Sequence, residues 1–295
     1  MKILITGATG LVGTSATAAL VQAGHSVTGL RRGTSGGGTW NPDTGLIAAN
    51  AISEADAVMH LAGANIGEKR WTNSRKQLIL ESRVGPTTAL AKFLASLDSP
   101  PDTLIVASAI GYYGNRGDER LDESSPSGSG FLAEVVQQWE RATDPAAERG
   151  IRVVNLRFGI ILSPIGGALQ RMLLPFRIGL GGAIGSGRQY WSWVSMEDVV
   201  GVIQLAITEA RLNGPVNVVA PTPVTNREFT ESLGRALRRP TFMPLPAFAA
   251  RLALGEMADE LLLYSARVSP KKLNESEYRF RNIDLGTCLQ ELLKH

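Results

Sequence analysis

Three glycines near the start of the chain have the type and spacing of a phosphate-binding turn. Gly7, Gly10 and Gly13 follow the apolar run Lys2 to Thr6 and open an amphipathic segment. Glycines between a buried strand and a helix let backbone N–H groups approach a pyrophosphate, which the positive end of the helix attracts. A purely structural glycine turn is the alternative. The strand–turn–helix context favours a dinucleotide site, with GxxGxxG spacing in place of the common GxGxxG.

Two adjacent arginines, Arg31 and Arg32, end the second apolar segment, 25–30. An NAD site usually has an acidic residue here to hold the ribose 2′-hydroxyl, whereas arginine accommodates a 2′-phosphate. The pair therefore predicts NADP as the cofactor, with NADPH preferred over NADH. A solvated basic pair before a loop is the alternative.

These residues need elements that place them at one edge of a sheet. Hydrophobic patterning predicts buried strands at 25–30, 57–61, 103–107 and 151–158 alternating with helices at 11–23, 73–97 and 131–149. Such alternation predicts an α/β fold, a doubly wound and mostly parallel Rossmann sheet with helices on both faces. Ligands of these sheets bind beyond the carboxyl ends of the strands, where the glycine turn and the arginines belong.

The pattern changes after Leu162. We predict an NADP-binding Rossmann domain at 1–162, with its sheet completed by about 194–222, and a smaller, mostly helical substrate or cap region at 163–193 and 223–295.

Aromatic residues follow a glycine-rich stretch in the predicted cap region. Trp191 and Trp193 come directly after 166–188. This order suits a substrate pocket, and burial of the tryptophans in the core is an equal alternative.

Composition excludes several classes of protein. The formal charge is +3, from 30 basic and 27 acidic residues without a block of like charge, and this balance gives no reason to predict a nucleic-acid partner. One cysteine, Cys288, excludes an internal disulfide, and three histidines without a cysteine cluster predict no metal site. The chain starts directly with a strand and has no apolar run of transmembrane length, so we expect a cytoplasmic protein without a membrane partner.

Several motifs together resemble the extended and atypical branch of the short-chain dehydrogenase/reductase superfamily. They are the stretches 6–13, 60–64, 108–114 and 156–159. A narrower resemblance, to the epimerase family of the SulA or YfcH type, rests on Arg70-Trp71, Ser82-Arg83, 172–176, 184–187 and the cap from about Pro240 to Leu293. The likeness covers nearly the whole chain.

The resemblance implies an NADP-binding site and a small-molecule substrate, for which a nucleotide-sugar is one candidate. It implies diphosphate contacts from Gly7, Thr9, Gly10, Leu11 and Val12, 2′-phosphate contacts from Arg31 and Arg32, and further cofactor contacts from Leu61, Ala62, Gly63, Arg83, Ser108 and Ile160. From the residues alone, Arg83 could equally pair with a neighbouring acid.

The chain departs from the superfamily at the catalytic triad. Catalytic relatives carry a Ser or Thr and a YxxxK pair, in which the lysine lowers the pKa of the tyrosine so that it can exchange a proton. Here Phe131 and Val135 stand at the tyrosine and lysine positions, and the serine position falls on Ala109, one residue after Ser108.

Three hypotheses about the function follow from this departure. The first is an NADP-dependent oxidoreductase or epimerase with a relocated acid/base group, for which Ser108, Tyr112 and Tyr113 are the candidates, although Tyr113 could equally be structural. The second is a non-catalytic NADP(H)-binding regulatory protein. The third is a shifted helix register with catalysis by an acid such as Glu134 or Glu140.

Overall fold

The computed structural model describes residues 1–33, 38–52 and 55–294. Its strands in chain order are β1 Lys2–Thr6, β2 Ser26–Arg32, β3 Thr39–Trp40, β4 Ala57–His60, β5 Thr103–Ala109, β6 Arg120–Leu121, β7 Arg152–Phe158, β8 Ile160–Leu162, β9 Tyr190–Trp191, β10 Trp193–Ser195, β11 Gly214–Val218, β12 Val224–Thr225 and β13 Arg267–Val268.

The α-helices in chain order are α1 Leu11–Gln22, α2 Ala49–Ile52, α3 Asn73–Ala95, α4 Phe131–Arg141, α5 Asp144–Glu148, α6 Gly167–Arg177, α7 Met196–Thr208, α8 Asn226–Leu237, α9 Ala247–Leu254, α10 Glu256–Ala258, α11 Lys271–Glu275 and α12 Leu285–Leu292. A 3₁₀ turn spans Ile110–Tyr113, and a π-helical turn spans Asp259–Leu263.

A seven-stranded sheet forms the centre of the molecule, in the order β11-β7-β5-β4-β1-β2-β3. Each neighbouring pair in it is parallel. The order runs outward from β1 in both directions, as in a doubly wound sheet, so the predicted fold class is confirmed. The carboxyl ends of these strands therefore share one edge.

Both faces of the sheet are covered by apolar side chains, because successive residues of a strand point to opposite faces. Ile3 and Ile5 of β1 pack into the cluster that also contains residues of α1 and α7. Leu4, between them, packs into the opposite cluster with residues of α3 and α5. The β-branched run after Met1 thus fits a strand that is buried on both sides.

The helix predicted at 131–149 is two helices, α4 and α5. α4 ends at Arg141, and α5 begins at Asp144 with Pro145 in its first turn. Proline has no N–H to continue the hydrogen bonds of a preceding helix, but it fits the first turn of a new one.

The stretch expected to be a glycine-rich pocket segment contains a helix, α6. Leu169, Leu173 and Phe176 recur along it and are buried in the cap core. The same core contains Trp191 and Trp193, which are 4% and 0% exposed. These two tryptophans are core residues, so of the two alternatives burial in the core is correct and the lining of a substrate pocket is wrong.

Short strand pairs lie outside the seven-stranded sheet. β8 pairs with β10 and β6 pairs with β13, both in parallel, while β9 pairs with β12 antiparallel. Within the described ranges, no helix combines the length and the apolar character needed to cross a bilayer.

Candidate functional site

The turn between β1 and α1 depends on glycine at two of its three positions. Gly7 has φ +73°, and a Cβ on it would lie 2.8 Å from the Ala62 backbone nitrogen at the end of β4. A Cβ on Gly13 would lie 2.2 Å from the Gly7 carbonyl oxygen. Gly7 thus allows the tight turn, and Gly13 allows α1 to pack directly on it.

Gly10 leaves the start of α1 open. It is the N-cap residue, with no side chain to satisfy the N–H groups of the first turn. A Cβ on Gly10 would have one close neighbour, the Gly7 carbonyl oxygen at 3.3 Å. The opening N–H groups and the positive end of the helix dipole are therefore available to an anion.

The three other predicted diphosphate residues lie at this helix start. Thr9 is exposed, while Leu11 and Val12 are half-buried. Val12 packs on the sheet core. On its other side the turn meets the segment before α6, since a Cβ on Gly166 would lie 2.9 Å from the Leu11 Cδ1. The turn is therefore fixed between the sheet and the segment that leads into α6.

Arg31 and Arg32 end β2 with exposed side chains. Within the described residues, neither guanidinium has an ion-pair partner. A Cβ on Gly29 would meet the Ala8 side chain at 2.9 Å, so the face of β2 that carries Gly29 is the face of the glycine turn. Since strand residues alternate, Arg31 shares that face and Arg32 lies on the other.

The segment after β4 is fastened by Arg83 of α3. Its Nη2 donates to the Ala64 carbonyl at 2.9 Å, and its Nη1 donates to the Ile79 carbonyl at 3.0 Å. A Cβ on Gly63 would lie 3.4 Å from the Arg83 Cζ. The partners of Arg83 are thus two backbone carbonyls and, at 3.4 Å, the Ser82 Oγ, and none of them is an acid. The bond to Ala64 positions the predicted cofactor residues Leu61, Ala62 and Gly63.

The charge of Arg83 is retained despite its surroundings. Burial, with a smaller contribution from Arg75, lowers the pKa of Arg83 to about 10, so the group stays protonated at neutral pH. Its Cζ lies 5.1 Å from the centre of the Trp139 ring, a cation–π contact. A cation is therefore held beside the end of β4.

A buried network joins Ser108 at the end of β5 to α4. The Ser108 Oγ donates to Glu140 Oε1 at 2.6 Å. Arg157 of β7 donates to both carboxylate oxygens of Glu140, each at 2.7 Å. The Arg157 Cζ also lies 3.5 Å from the ring centre of Tyr112. The Arg157 cation, the Ser108 hydroxyl and the Tyr112 ring thus lie together at the carboxyl edge of the sheet.

The two adjacent tyrosines have different surroundings. The Tyr113 side chain is fully buried, and its hydroxyl accepts from Arg157 Nη1 at 3.0 Å and lies 2.8 Å from Asn217 Oδ1 and 2.9 Å from the Asp122 carbonyl. Burial raises the pKa of Tyr113 to about 12, although Arg157 opposes the shift. Tyr112 is half-buried, and its hydroxyl has no hydrogen-bond partner among the described residues.

Phe131 and Val135 lie in an apolar cluster where the usual tyrosine and lysine would stand. The Phe131 ring packs edge-on against Trp71, with centroids 5.2 Å apart, and the Lys76 Nζ lies 4.6 Å from its centre. Val135 is buried in the same cluster, together with Met257 of the cap. These two positions of α4 therefore offer neither a hydroxyl nor a cation.

The start of α4 is capped by a residue from the far end of the chain. Both carboxylate oxygens of Glu260 accept backbone N–H groups, from Phe131 and Leu132, each at 2.7 Å. A carboxylate at a helix N-terminus is favoured by the helix dipole. No local sequence pattern marks Glu260 for this role, because 129 residues separate it from Phe131.

Sequence reasoning also missed Asn217 and Arg157 as members of the network. Arg157 appeared only within a family motif, and Glu140 only as an alternative base. The exposed Glu134, the other acid considered, is not part of the network. Ile160, half-buried at the start of β8, donates its N–H to the Ser192 carbonyl at 2.9 Å. In the part of the chain that the structure describes, no group of His, Cys, Asp and Glu side chains is arranged to hold a metal ion.

Almost the full chain matches known protein families and known proteins. Residues 3–219 match the NAD dependent epimerase/dehydratase family, and residues 245–292 match a domain of unknown function, DUF1731. Epimerase family protein Mb2239 from Mycobacterium bovis is 45% identical over 290 residues, which cover 97% of this chain and 96% of that protein. Epimerase family protein SDR39U1 from Homo sapiens is 35% identical over 297 residues, which cover 99% and 100%.

The crystal structure of human SDR39U1, isoform 2, with NADPH is similar over its whole length. Its TM-score is 0.90 at 34% identity, and the alignment covers 100% of both chains. These matches confirm the resemblance inferred from the motifs. The chain belongs to the NAD dependent epimerase/dehydratase family.

Proposed function

We propose that this protein binds NADPH in preference to NADH and transfers a hydride between the nicotinamide and a small-molecule substrate. The observation that carries the proposal is the open start of α1, at Gly10, on the same sheet edge as Arg31 and Arg32. The first feature suits a diphosphate, and the arginines suit a 2′-phosphate. The similarity to human SDR39U1, whose crystal structure contains NADPH, supports the same cofactor.

The residues present fit such a cofactor. The site we propose comprises Gly7, Thr9, Gly10, Leu11 and Val12 for the diphosphate, Arg31 and Arg32 for the 2′-phosphate, and Leu61, Ala62, Gly63, Arg83, Ser108 and Ile160 along the rest of the cofactor. When bound, NADPH supplies the hydride, and NADP⁺ accepts one. We propose that 1–162 and 194–222 form this domain, and that 163–193 and 223–295 form the substrate region.

Ser108 and Tyr112 are the groups that we propose for proton exchange with the substrate. Because the Ser108 Oγ donates to Glu140, its lone pairs can accept a proton from a substrate hydroxyl as its own proton moves to the carboxylate. Tyr112 offers a free hydroxyl beside the Arg157 cation. Tyr113 is assigned a positioning role, since its hydroxyl is buried and its pKa is about 12.

A second function, NADP(H) binding without catalysis, is favoured by one specific observation. Phe131 and Val135 put an apolar cluster where relatives with the usual triad carry an acid/base pair. A protein of this kind would bind NADPH and report its presence to a partner.

Label transfer separates the two functions. NADPH carrying deuterium at the transferable C4 position is incubated with the protein and pools of carbonyl compounds that include keto-sugar nucleotides, and the alcohol products are searched for deuterium by mass spectrometry. The matched control is the variant Tyr112→Phe, which keeps every residue of the proposed cofactor site and should bind NADPH as the wild type does. Label transfer by the wild type and not by the control supports the enzyme. NADPH binding with no label transfer by the wild type contradicts it and supports the regulatory function.

A further inference from the structure

Large apolar side chains protrude from one part of the cap region. We call them the cap patch: Leu174, Ile178, Leu180, Phe242, Met243, Leu245, Phe248 and Leu252. They are between 39% and 78% exposed, and both phenylalanines are 72% exposed. Scattered apolar residues are normal on a surface, but a contiguous group of this size marks an interaction site.

The cap patch is continuous because two segments are joined by backbone hydrogen bonds. The Met243 N–H donates to the Gly181 carbonyl at 3.2 Å, and the Leu245 N–H donates to the Ala183 carbonyl at 2.9 Å. This paired strip connects the end of α6 to the start of α9.

Each of these helices presents two members of the patch one turn apart. Leu174 of α6 and Ile178, the C-cap residue of that helix, have this spacing, and Phe248 and Leu252 have it on α9. Residues four apart lie on the same face of a helix. These four side chains are between 62% and 78% exposed, so they stand out from the surface.

Arginines outnumber acids around the cap patch. The stretches 163–188 and 232–255 contain no Asp or Glu. They contain seven arginines, all exposed: Arg171, Arg177, Arg188, Arg235, Arg238, Arg239 and Arg251. Acids lie at the borders of these stretches: Glu231 and Glu256 are one residue outside them, and the Asp259 carboxylate accepts a hydrogen bond from Arg251. The surface is thus apolar and cationic.

A basic hollow lies directly beside the patch. Its volume is about 370 Å³, and Arg235, Arg238 and Arg239 line it together with Glu231, Gly234, Pro240 and Thr241. Thr241 immediately precedes Phe242 of the patch. An anionic head group can enter the hollow while the neighbouring apolar side chains enter acyl chains.

We infer that the cap patch docks this protein on the surface of a bilayer that contains anionic phospholipids. Protruding Phe and Leu side chains, basic neighbours and the absence of acids in both stretches are the features of interfacial membrane binding. A second copy of the chain fits less well, because a symmetric contact would bring two arginine-rich surfaces together. A bound peptide helix would need a groove.

From the sequence alone we expect no membrane partner, and docking of the cap patch on a bilayer would contradict that expectation. That expectation rested on the absence of a transmembrane run, and docking at a surface needs none. Phe242, Phe248 and Leu252 are 72%, 72% and 78% exposed, which hydropathy along the chain does not reveal.

Vesicle flotation tests the docking directly. The full-length protein is mixed with vesicles of phosphatidylcholine, with or without phosphatidylglycerol. Wild type is expected to float with the anionic vesicles, less with the neutral ones, and less at high salt because ions screen the arginines. The variant Phe248→Ser, Leu252→Ser should lower the partition coefficient by about a factor of ten or more, since both side chains lose burial in lipid.

Control variants keep the test specific. The variant Val21→Ser, Leu78→Ser removes two exposed apolar residues from α1 and α3 and should bind vesicles as wild type does. Arg238→Ala, Arg239→Ala should reduce the preference for anionic vesicles by about fivefold or more. Flotation of neither vesicle type, or equal loss with the control variant, overturns the inference. Dimers in sedimentation equilibrium that Phe248→Ser, Leu252→Ser converts to monomers would also overturn it and assign the patch to a second copy.

Discussion

The Arg157 guanidinium donates two hydrogen bonds of 2.7 Å to the Glu140 carboxylate. The two side chains are only 3% and 13% exposed. A charge pair of this kind is taken out of water, so each partner depends on the other. The pair ties α4 to β7 and fixes the acceptor of the Ser108 hydroxyl proton.

Glu140→Gln should therefore lower the free energy of unfolding by about 3 kcal/mol, because it leaves the Arg157 charge buried without its counter-charge. Glu134→Gln is the matched control on the same helix, and since Glu134 is exposed its effect should be within about 0.5 kcal/mol. Urea unfolding of the two variants measures the difference. Equal stabilities would show that the pair does not support α4.

The packing of α1 on the glycine turn predicts a contrast between two helical glycines. Gly13→Ala should destabilise the protein by about 1–3 kcal/mol and weaken NADPH binding, because the new Cβ would lie 2.2 Å from the Gly7 carbonyl oxygen. Gly85→Ala in α3 meets nothing within 4 Å and should stabilise by about 0.5–1 kcal/mol. Thermal unfolding and NADPH titration of both variants check this. The prediction is wrong if Gly13→Ala binds NADPH as wild type does.

The buried His60, at the end of β4, should make the protein less stable in mild acid. It is fully buried, and burial lowers its pKa from 6.5 to about 4. Between these values the unfolded chain binds more protons than the folded one, so the free energy of unfolding falls as pH drops from about 6.5 to about 4. The expected total is about 3 kcal/mol from this residue.

Urea unfolding as a function of pH measures that slope. His60→Phe should remove the contribution. Thr6→Val deletes the hydroxyl that lies 2.7 Å from the His60 Nδ1 but keeps the imidazole, so the slope should remain. A slope unchanged in His60→Phe would assign the acid sensitivity to other groups.

Local patterns in the sequence predicted the parts of the fold that depend on neighbours along the chain. Buried runs such as Ile3 to Ile5 and the glycine spacing after them specify strand, turn and helix within a short stretch. The alternation of such units then restricts the sheet to a parallel, doubly wound arrangement.

Other features depend on contacts between distant residues and have no local signal. Glu260 caps α4 from 129 positions away, and Asn217 reaches Tyr113 across 104. Trp191 and Trp193 follow a glycine-rich stretch, as residues of a pocket could. Their side chains are instead buried in the core that contains residues of α6 and α8. Hydropathy likewise could not show which leucines of α6 face the core and which protrude.

The arginine pair gives a prediction about cofactor choice. The double variant Arg31→Ala, Arg32→Ala should lower NADPH affinity by about tenfold to a hundredfold, because charge-assisted hydrogen bonds to the 2′-phosphate are lost. NADH affinity should change little. Arg149→Ala is the charge-matched control for each single variant, since that exposed arginine precedes β7 at the opposite edge of the sheet. Single variants then assign the contact to the face of Arg31 or to that of Arg32. Equal losses of affinity for NADPH and NADH would show that the two arginines do not bind the 2′-phosphate.

Titration of the purified wild-type protein with NADPH and with NADH tests the central claim most directly. Nicotinamide fluorescence and quenching of the five tryptophans report binding of each cofactor. Saturable binding of NADPH, at least about tenfold tighter than that of NADH, is the result predicted from the open start of α1 and the two arginines at the end of β2. No saturable binding of either cofactor would contradict the account, and equal affinity for both would contradict its assignment of NADPH.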